Sequence, residues 1–505
     1  MDGRIKNTVR NSVSGFVNKF CMLFFPFAIR TLTIRYMGAE YLGLNSLFTS
    51  VLQVLSLTEL GLSNAVVFSL YKPIAEGDKK LIGAIYNFLR KIYRVIGIII
   101  LVVGVLITPV LPKLISGDVP TDINIYILYY IYLFNTAISY FLFAYKECLL
   151  TAHQRSDISS NISTFTYTGM YLLQCVVIVL FQNYYIYILF LPLCTIVINI
   201  MRSVQVDKMF PDIVCEGKLD KDNIDALKKR IGGLVLYKIS GVCRNSFDSI
   251  VLSAFLGLIV LAKYQNYFYI MNSVGNMIAI VTTAATASIG NSIATESIEK
   301  NYINFNVFSA LYNWVSGWCT VCLLCLYQPF MNLWLGKDYL FSFDIVVLLC
   351  IYFYVCKISD ILYTYRQAAG LWWEDKFRPI VESVVNLVLN ILVVKNFGVC
   401  GVIISTIATI AFINIPWGAY ILFKYYFREE IIPFLKDTLK YIVELMVVCI
   451  ITYSICTLIT GQSILSVLVK LVICCVIPNI LFFLIFRKSK YYQRGMQFIR
   501  KIFSR

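Results

Sequence analysis

Charged side chains are scarce in this 505-residue chain, at 14% where a soluble protein carries about a quarter. So few charges cannot cover the surface of a water-soluble body of this length, so lipid has to be the main solvent. The 59% hydrophobic content and a mean hydropathy of +0.75 agree. Histidine is scarcer still: His153, in KECLLTAHQRSD at 146–157, stands alone. Chemistry built on imidazole goes with it, since neither H-E-x-x-H nor a Ser-His-Asp set can be assembled, and no Gly-rich P-loop is present. Large outer loops are lacking too, which argues against membrane polymerases or acyltransferases that carry catalytic carboxylates there. The basic N-terminus leads into an apolar run without a small-residue cleavage site, so the first span reads as an uncleaved anchor.

Cysteine is abundant by contrast, with sixteen residues. Nearly all lie inside apolar runs, where Cys behaves as a small buried hydrophobe. Cys319, Cys322 and Cys325 form a C-x2-C-x2-C run. A zinc or iron–sulfur reading needs exposed thiolates and usually a fourth ligand on a tight loop, whereas this run sits in an apolar helix. No metal, cofactor or catalytic residue is assigned.

Apolar segments of the length a helix needs to cross about 30 Å of hydrocarbon recur along the chain. Fourteen are expected: 14–34, 43–70, 95–112, 123–145, 161–181, 186–201, 233–257, 264–291, 304–330, 343–365, 379–395, 398–423, 439–460 and 463–486. With Met1 cytoplasmic, only Arg35, Lys113, Lys263, Lys337 and Lys395 fall in the outer segments, and most of the other Lys and Arg are cytoplasmic. One helix more or fewer would invert every later loop and destroy that asymmetry, so both termini are placed inside. The net charge of +16 is therefore a membrane-topology signal rather than a nucleic-acid footprint. The basic tail from Arg487 lies against anionic lipid.

The expected class is an all-α integral membrane protein with two pseudo-symmetric six-helix lobes and two C-terminal helices. Residues 1–201 form the first lobe, 202–232 a cytoplasmic linker, 233–423 the second lobe, and 424–505 the last helices and tail. A faint internal match supports the halves: Gly38-x3-Leu42-Gly43 joins spans one and two, and Gly257-x3-Leu261-Ala262 joins spans seven and eight. Two such halves around a central site are a common transporter plan.

An ionisable side chain within hydrocarbon costs roughly 2.5–3.5 kcal/mol, so each needs a reason. Lys19 and Arg30 share one face of span one, eleven residues apart. Lys19 either snorkels to the interface or joins Arg30 in a cavity. Arg244 and Asp248 in span seven, and Lys357 and Asp360 in span ten, are spaced to neutralise each other. Glu382 and Glu444 fall in the first turns of their expected helices, where the dipole favours anions. Lys470 has no sequence partner. The positive remainder centres on Arg30, Lys238 and Arg244, with Lys19 beside them. If the opening helices of the two halves face each other, these cations line a wet cavity suited to an anionic cargo, since Arg grips phosphate oxygens bidentately. Polar or coupling candidates near it are Glu59, Asn64, Asp248, Asn266 and Asp360.

Three blocks carry a resemblance. TELGLSNAVVFSLYKPIAEGD at 58–78, RNSFDSIVLSAFLG at 244–257 with YQNYFYIMNSVGNMI at 264–278, and YRQAAGLWWEDKFRPIVESVVNLVLNI at 365–391 are similar to Wzx-type polysaccharide flippases. These belong to the multidrug/oligosaccharidyl-lipid/polysaccharide exporter superfamily. The resemblance implies a V-shaped, two-lobed fold. It also implies an undecaprenyl-pyrophosphate-linked oligosaccharide moved from the inner to the outer leaflet of a bacterial cytoplasmic membrane, for O antigen, capsule or a similar glycan. Membrane lipids, a polysaccharide polymerase and a chain-length regulator are the implied partners. Coupling to sodium, protons or membrane potential suits the superfamily, although no ion site is legible. By analogy with the related lipid II flippase, Arg30 and Lys238 would meet the pyrophosphate, and 439–486 the lipid tail. The physics of such a cargo agrees: sugar hydroxyls and a diphosphate cannot cross hydrocarbon unpartnered. A drug exporter of the same superfamily is the nearest rival, but its usual cationic cargo would be repelled by a net-positive cavity.

Overall fold

The computed structural model describes the backbone of residues 2–56, 62–461 and 463–503. Side chains are described from 10 to 497 within those ranges, except 64, 65, 222, 226, 228–240, 281, 284 and 287. Among the described residues the chain is helical with no β-strand. Nine helices among the described residues are long and apolar enough to cross a membrane, or ten if the bent pair Ile125–Phe141 and Ala144–Ala152 counts as one span. The class expected from composition, an all-α multi-pass membrane protein, is what the chain adopts.

Two compact units divide the chain, Met1–Ala262 and Lys263–Arg505. The first contains α1 (Asp2–Tyr36), α2 (Ala39–Leu55), α3 (Leu62–Glu76), α4 (Lys79–Ile107), α5 (Ile125–Phe141), the short α6 (Glu147–Ala152), α7 (Ser156–Leu180), α8 (Tyr184–Met209) and α9 (Lys221–Leu256). The division falls inside α10 (Leu258–Thr295). The second unit continues with α11 (Ile298–Leu335), α12 (Phe343–Ala368), α13 (Arg378–Thr409), α14 (Ile415–Leu422), α15 (Ile432–Thr457), α16 (Ile464–Phe486) and α17 (Lys490–Phe503). Helix α11 has 38 residues, about 57 Å of rise, so it must extend well beyond the hydrocarbon.

Helix ends follow local chemistry. Asn124 caps α5 by accepting from the backbone N–H of Tyr126 and Ile127, and Asn183 caps α8 through Ile186. Gly38 and Gly257 both sit at helix-to-helix corners with positive φ (122° and 88°) and extended ψ (163° and 173°). A side chain is strained in that conformation, which explains why both members of the internal match carry glycine. Gly398 breaks α13 at φ 55°, ψ −136°, between the eleventh and twelfth expected spans. The second expected span, 43–70, overlaps α2 and α3, with residues 57–61 between them outside those described.

In unit 1, α1 packs along α7. Asn18 on α1 donates to Thr164 Oγ1 (2.9 Å) and to the Ser160 carbonyl (3.3 Å), polar contacts of the kind that join helices where lipid supplies no hydrophobic drive. The polar stretch 202–232 is helical at both ends, and its middle is tied to α4. Asn87 donates to the Gly217 carbonyl at 2.9 Å, and Lys79 pairs with Asp212 at 2.8 Å. That ammonium holds the exposed Asp212 carboxyl below its usual value. In unit 2, α11 is the central helix, packed by α12, α15, α16 and α17.

Candidate functional site

Arg30 is half-buried on α1, near enough to Tyr187 on α8 for its charge to act on that phenol. Hydroxyls continue from there. The Tyr187 and Tyr184 rings are 5.2 Å apart, and Tyr184 Oη lies 3.2 Å from Tyr132 Oη. Tyr184 Oη donates to the Tyr41 carbonyl at 3.2 Å, and Tyr41 Oη to Asp122 Oδ1 at 2.5 Å. Tyr41 and Asp122 line a groove of about 520 Å³ with Glu40, Asp118 and Gly257. Lys19, on the same helix as Arg30, is exposed.

Helix α9 lays a stripe of small hydroxyls into unit 1: Ser246, Ser249 and Ser253 are all buried, and Ser246 Oγ donates to Gln53 Oε1 on α2 at 3.4 Å. Asp248 on this helix is 1% exposed, while Arg244 is half-buried. The side chains of Lys238 and Asn64, and the whole of Glu59, lie outside the described residues.

Unit 2 carries its own intramembrane pair. Lys357 Nζ is 2.6 Å from Asp360 Oδ2 on α12, and Tyr312 Oη on α11 donates to the same oxygen at 3.3 Å. The lysine is buried, whereas the Asp360 side chain is 40% exposed. Asn266 on α10 is fully buried.

A larger charged network fixes the α12–α13 connection. Arg378 forms a bidentate fork on Asp375, with Nε to Oδ1 and Nη2 to Oδ2 both 2.7 Å, and its Nη1 reaches Glu382 Oε2 at 2.9 Å. Asn414 donates to the same Glu382 oxygen at 2.6 Å, and Ser359 donates to Asn414 Oδ1 at 2.7 Å. Arg366 Nε lies 3.4 Å from Asp375 Oδ2. All four charged groups are at most 2% exposed, and they sum to zero. Glu382 is therefore held by ion pairing, not by a helix dipole. Glu444 also departs from expectation: α15 begins at Ile432, so Glu444 lies several turns in and approaches Lys440 at 3.9 Å. The i,i+3 and i,i+4 charges in WWEDKFRPIVE were visible in the sequence. Their closure with Arg366 and Asn414 depends on helices remote in the chain.

Unit 1 has comparable clusters around α6 and α7. Asp157 takes Arg10 at 2.8 Å and Arg155 at 3.1 Å, Glu147 takes Arg202 at 2.8 Å and the Ser159 hydroxyl, and Lys146 pairs with Asp207 at 2.6 Å. His153 has its Nδ1 2.8 Å from the Leu149 carbonyl and stacks on Phe210 at 4.2 Å between ring centres, a structural position in the turn after α6.

The fold is shared with solved membrane transporters. The chain is similar to the lipid II flippase MurJ in its inward closed conformation, with a TM-score of 0.64, 16% identity, and coverage of 95% of this chain and 99% of that one. An inward-facing multidrug resistance MATE family transporter of the MOP superfamily superposes with a TM-score of 0.61 at 13% identity, covering 82% of this chain and 97% of the other. A mutant of the Vibrio cholerae MATE transporter VcmN gives 0.58 at 13% identity, over 84% and 98%. No protein-family model and no curated protein matches the sequence. The class defined is thus a multi-pass, all-α membrane protein with the fold of these transporters.

Proposed function

We propose that this chain is a flippase for undecaprenyl-pyrophosphate-linked oligosaccharide repeat units. It moves them from the inner to the outer leaflet of a bacterial cytoplasmic membrane for O-antigen, capsule or exopolysaccharide synthesis. Fourteen spans place both termini in the cytoplasm, and alternating access carries the glycan and diphosphate through a cationic cavity while the polyprenyl tail stays in lipid. The observation that supports this most is Arg30, a permanent cation on the first helix that is half-buried and within electrostatic range of Tyr187, whose ring adjoins the hydroxyl-bonded pair Tyr184 and Tyr132. A guanidinium meets a diphosphate, and phenols stack on and hydrogen-bond to sugars. Asp360, exposed within α12 and paired with Lys357, is the coupling candidate, because a carboxylate that gains or loses a cation would release or recapture that lysine.

The deciding experiment places purified protein in vesicles with a defined fluorescent polyprenyl-pyrophosphate oligosaccharide in one leaflet. Leaflet exchange is expected for that lipid and not for drug cations. Export of cations without lipid exchange would make the chain a drug exporter and overturn the reading.

A further inference from the structure

The sequence run Cys319, Cys322, Cys325 does not close on itself in space. Cys325 instead leaves it to join two residues remote in the chain: the Sγ atoms of Cys325 (α11), Cys456 (α15) and Cys474 (α16) all lie within 4.8 Å of one another. The Cys456 and Cys474 sulfurs are 3.9 Å apart, and the three residues are 4%, 2% and 0% exposed. Cysteines serving only as apolar filler need not direct their sulfurs to one point from three separate helices.

Two further features belong to this place. Pro478 stands four residues after Cys474 and has no N–H, so the Cys474 carbonyl lacks its intrahelical donor. Trp318 Nε1 of α11 supplies one at 2.8 Å, which fixes the α16 backbone against α11 where the sulfurs meet. Lys470 lies one turn before Cys474 on α16, close enough for its charge to act on both the Cys456 and Cys474 sulfurs. Among the described residues no carboxylate pairs with it, although a cation within such a span requires a counter-charge.

We infer that Cys325, Cys456 and Cys474 form a three-coordinate thiolate site for a soft monovalent cation, copper(I). Metal–sulfur bonds of about 2.3 Å around a central ion put the sulfurs about 4 Å apart, near the spacing present. Zinc favours a fourth ligand; among the described residues three sulfurs lie mutually within 4.8 Å, and Cys322, whose Sγ lies 3.9 Å from the Cys474 carbonyl, is outside that group. Thiolates in an apolar setting suit copper(I). Copper(I) on three thiolates carries two net negative charges, and Lys470 offsets one of them. Binding displaces thiol protons, with no change in copper oxidation state, and staples the α15–α16 pair to α11.

The test uses the full-length protein, purified under a non-thiol reductant and titrated with copper(I) against a chromophoric chelator. One equivalent is expected to bind, with X-ray absorption showing three sulfur neighbours and a raised Tm. C474S and C456S should lose this equivalent, C319S should keep it, and Lys470→Met should weaken it about tenfold. Copper coordinated chiefly by nitrogen or oxygen in the wild-type protein would overturn the proposal, as would no binding, or binding unchanged in C474S and C456S. The wild-type spectrum and titration decide even if a serine variant fails to insert.

Discussion

Arg30 is the residue whose replacement bears most directly on function. Arg30→Ala should abolish leaflet exchange while leaving the protein inserted and of normal size in detergent; exchange at the wild-type rate would remove it from the site. Lys should restore only part of the rate, because an ammonium cannot grip a diphosphate bidentately. The Lys357–Asp360 pair allows a sharper stability test. Removing Asp360 alone leaves a buried ammonium without its carboxylate, whereas removing both leaves neither. Asp360→Ala should therefore cost about 1–2 kcal/mol, reduced from the fully buried case by the exposure of the carboxylate. The double variant Lys357→Ala/Asp360→Ala should be nearer wild type, and a double variant worse than either single one would contradict the pairing. Arg378→Met leaves two buried carboxylates, Asp375 and Glu382, with Arg366 as the one remaining cation of the network, and should cost about 3–5 kcal/mol, read as a fall in Tm in detergent. A change as small as that of an exposed lysine variant would show that the network does not hold the loop.

At the scale of elements, close approach matters more than propensity. Helix α14 passes Arg366 at Gly418, where an added Cβ would lie 1.7 Å from the guanidinium Nη1. Gly418→Ala must therefore displace Arg366 from the network, and protease susceptibility between 369 and 377 should rise with the loss of Tm; unchanged proteolysis would place Arg366 outside the assembly. Much of the helical pattern was legible, because each expected span falls largely on helical backbone. The break at Gly398 was placed correctly, since an apolar run too long for one crossing must turn, and glycine accepts the turn. One feature was not legible: α15 continues N-terminally through Lys436 and Asp437, which are too polar to belong to an apolar span, so the helix starts earlier than the span and Glu444 lies well inside it.

For the whole molecule, the topology is open to direct measurement. Single cysteines introduced into a background lacking accessible thiols should be labelled from the cytoplasmic side at 217 and 489 and from the outer side at 118 and 337. Labelling of 217 and 337 from the same side would mean that an even number of crossings lies between them, and the count of fourteen would fall. Exchange of lipid-linked glycan in vesicles then tests the assignment of cargo independently of topology.

By itself the sequence determined that the chain lives in lipid, that it is helical, roughly where each helix runs, and which charges are anomalous. Those properties are local: hydropathy over some twenty residues, backbone hydrogen bonds closed within one helix, and the cost of a single charge in hydrocarbon. Only the tertiary structure decided what each anomalous charge meets. Glu382 turns to Arg378 and Asn414, Asp360 is met by Tyr312, and Cys325 turns to Cys456 and Cys474, not to its neighbours in the C-x2-C-x2-C run. Most such partners are tens to more than a hundred residues away along the chain, and they are chosen by how helices pack, which no short window of residues encodes.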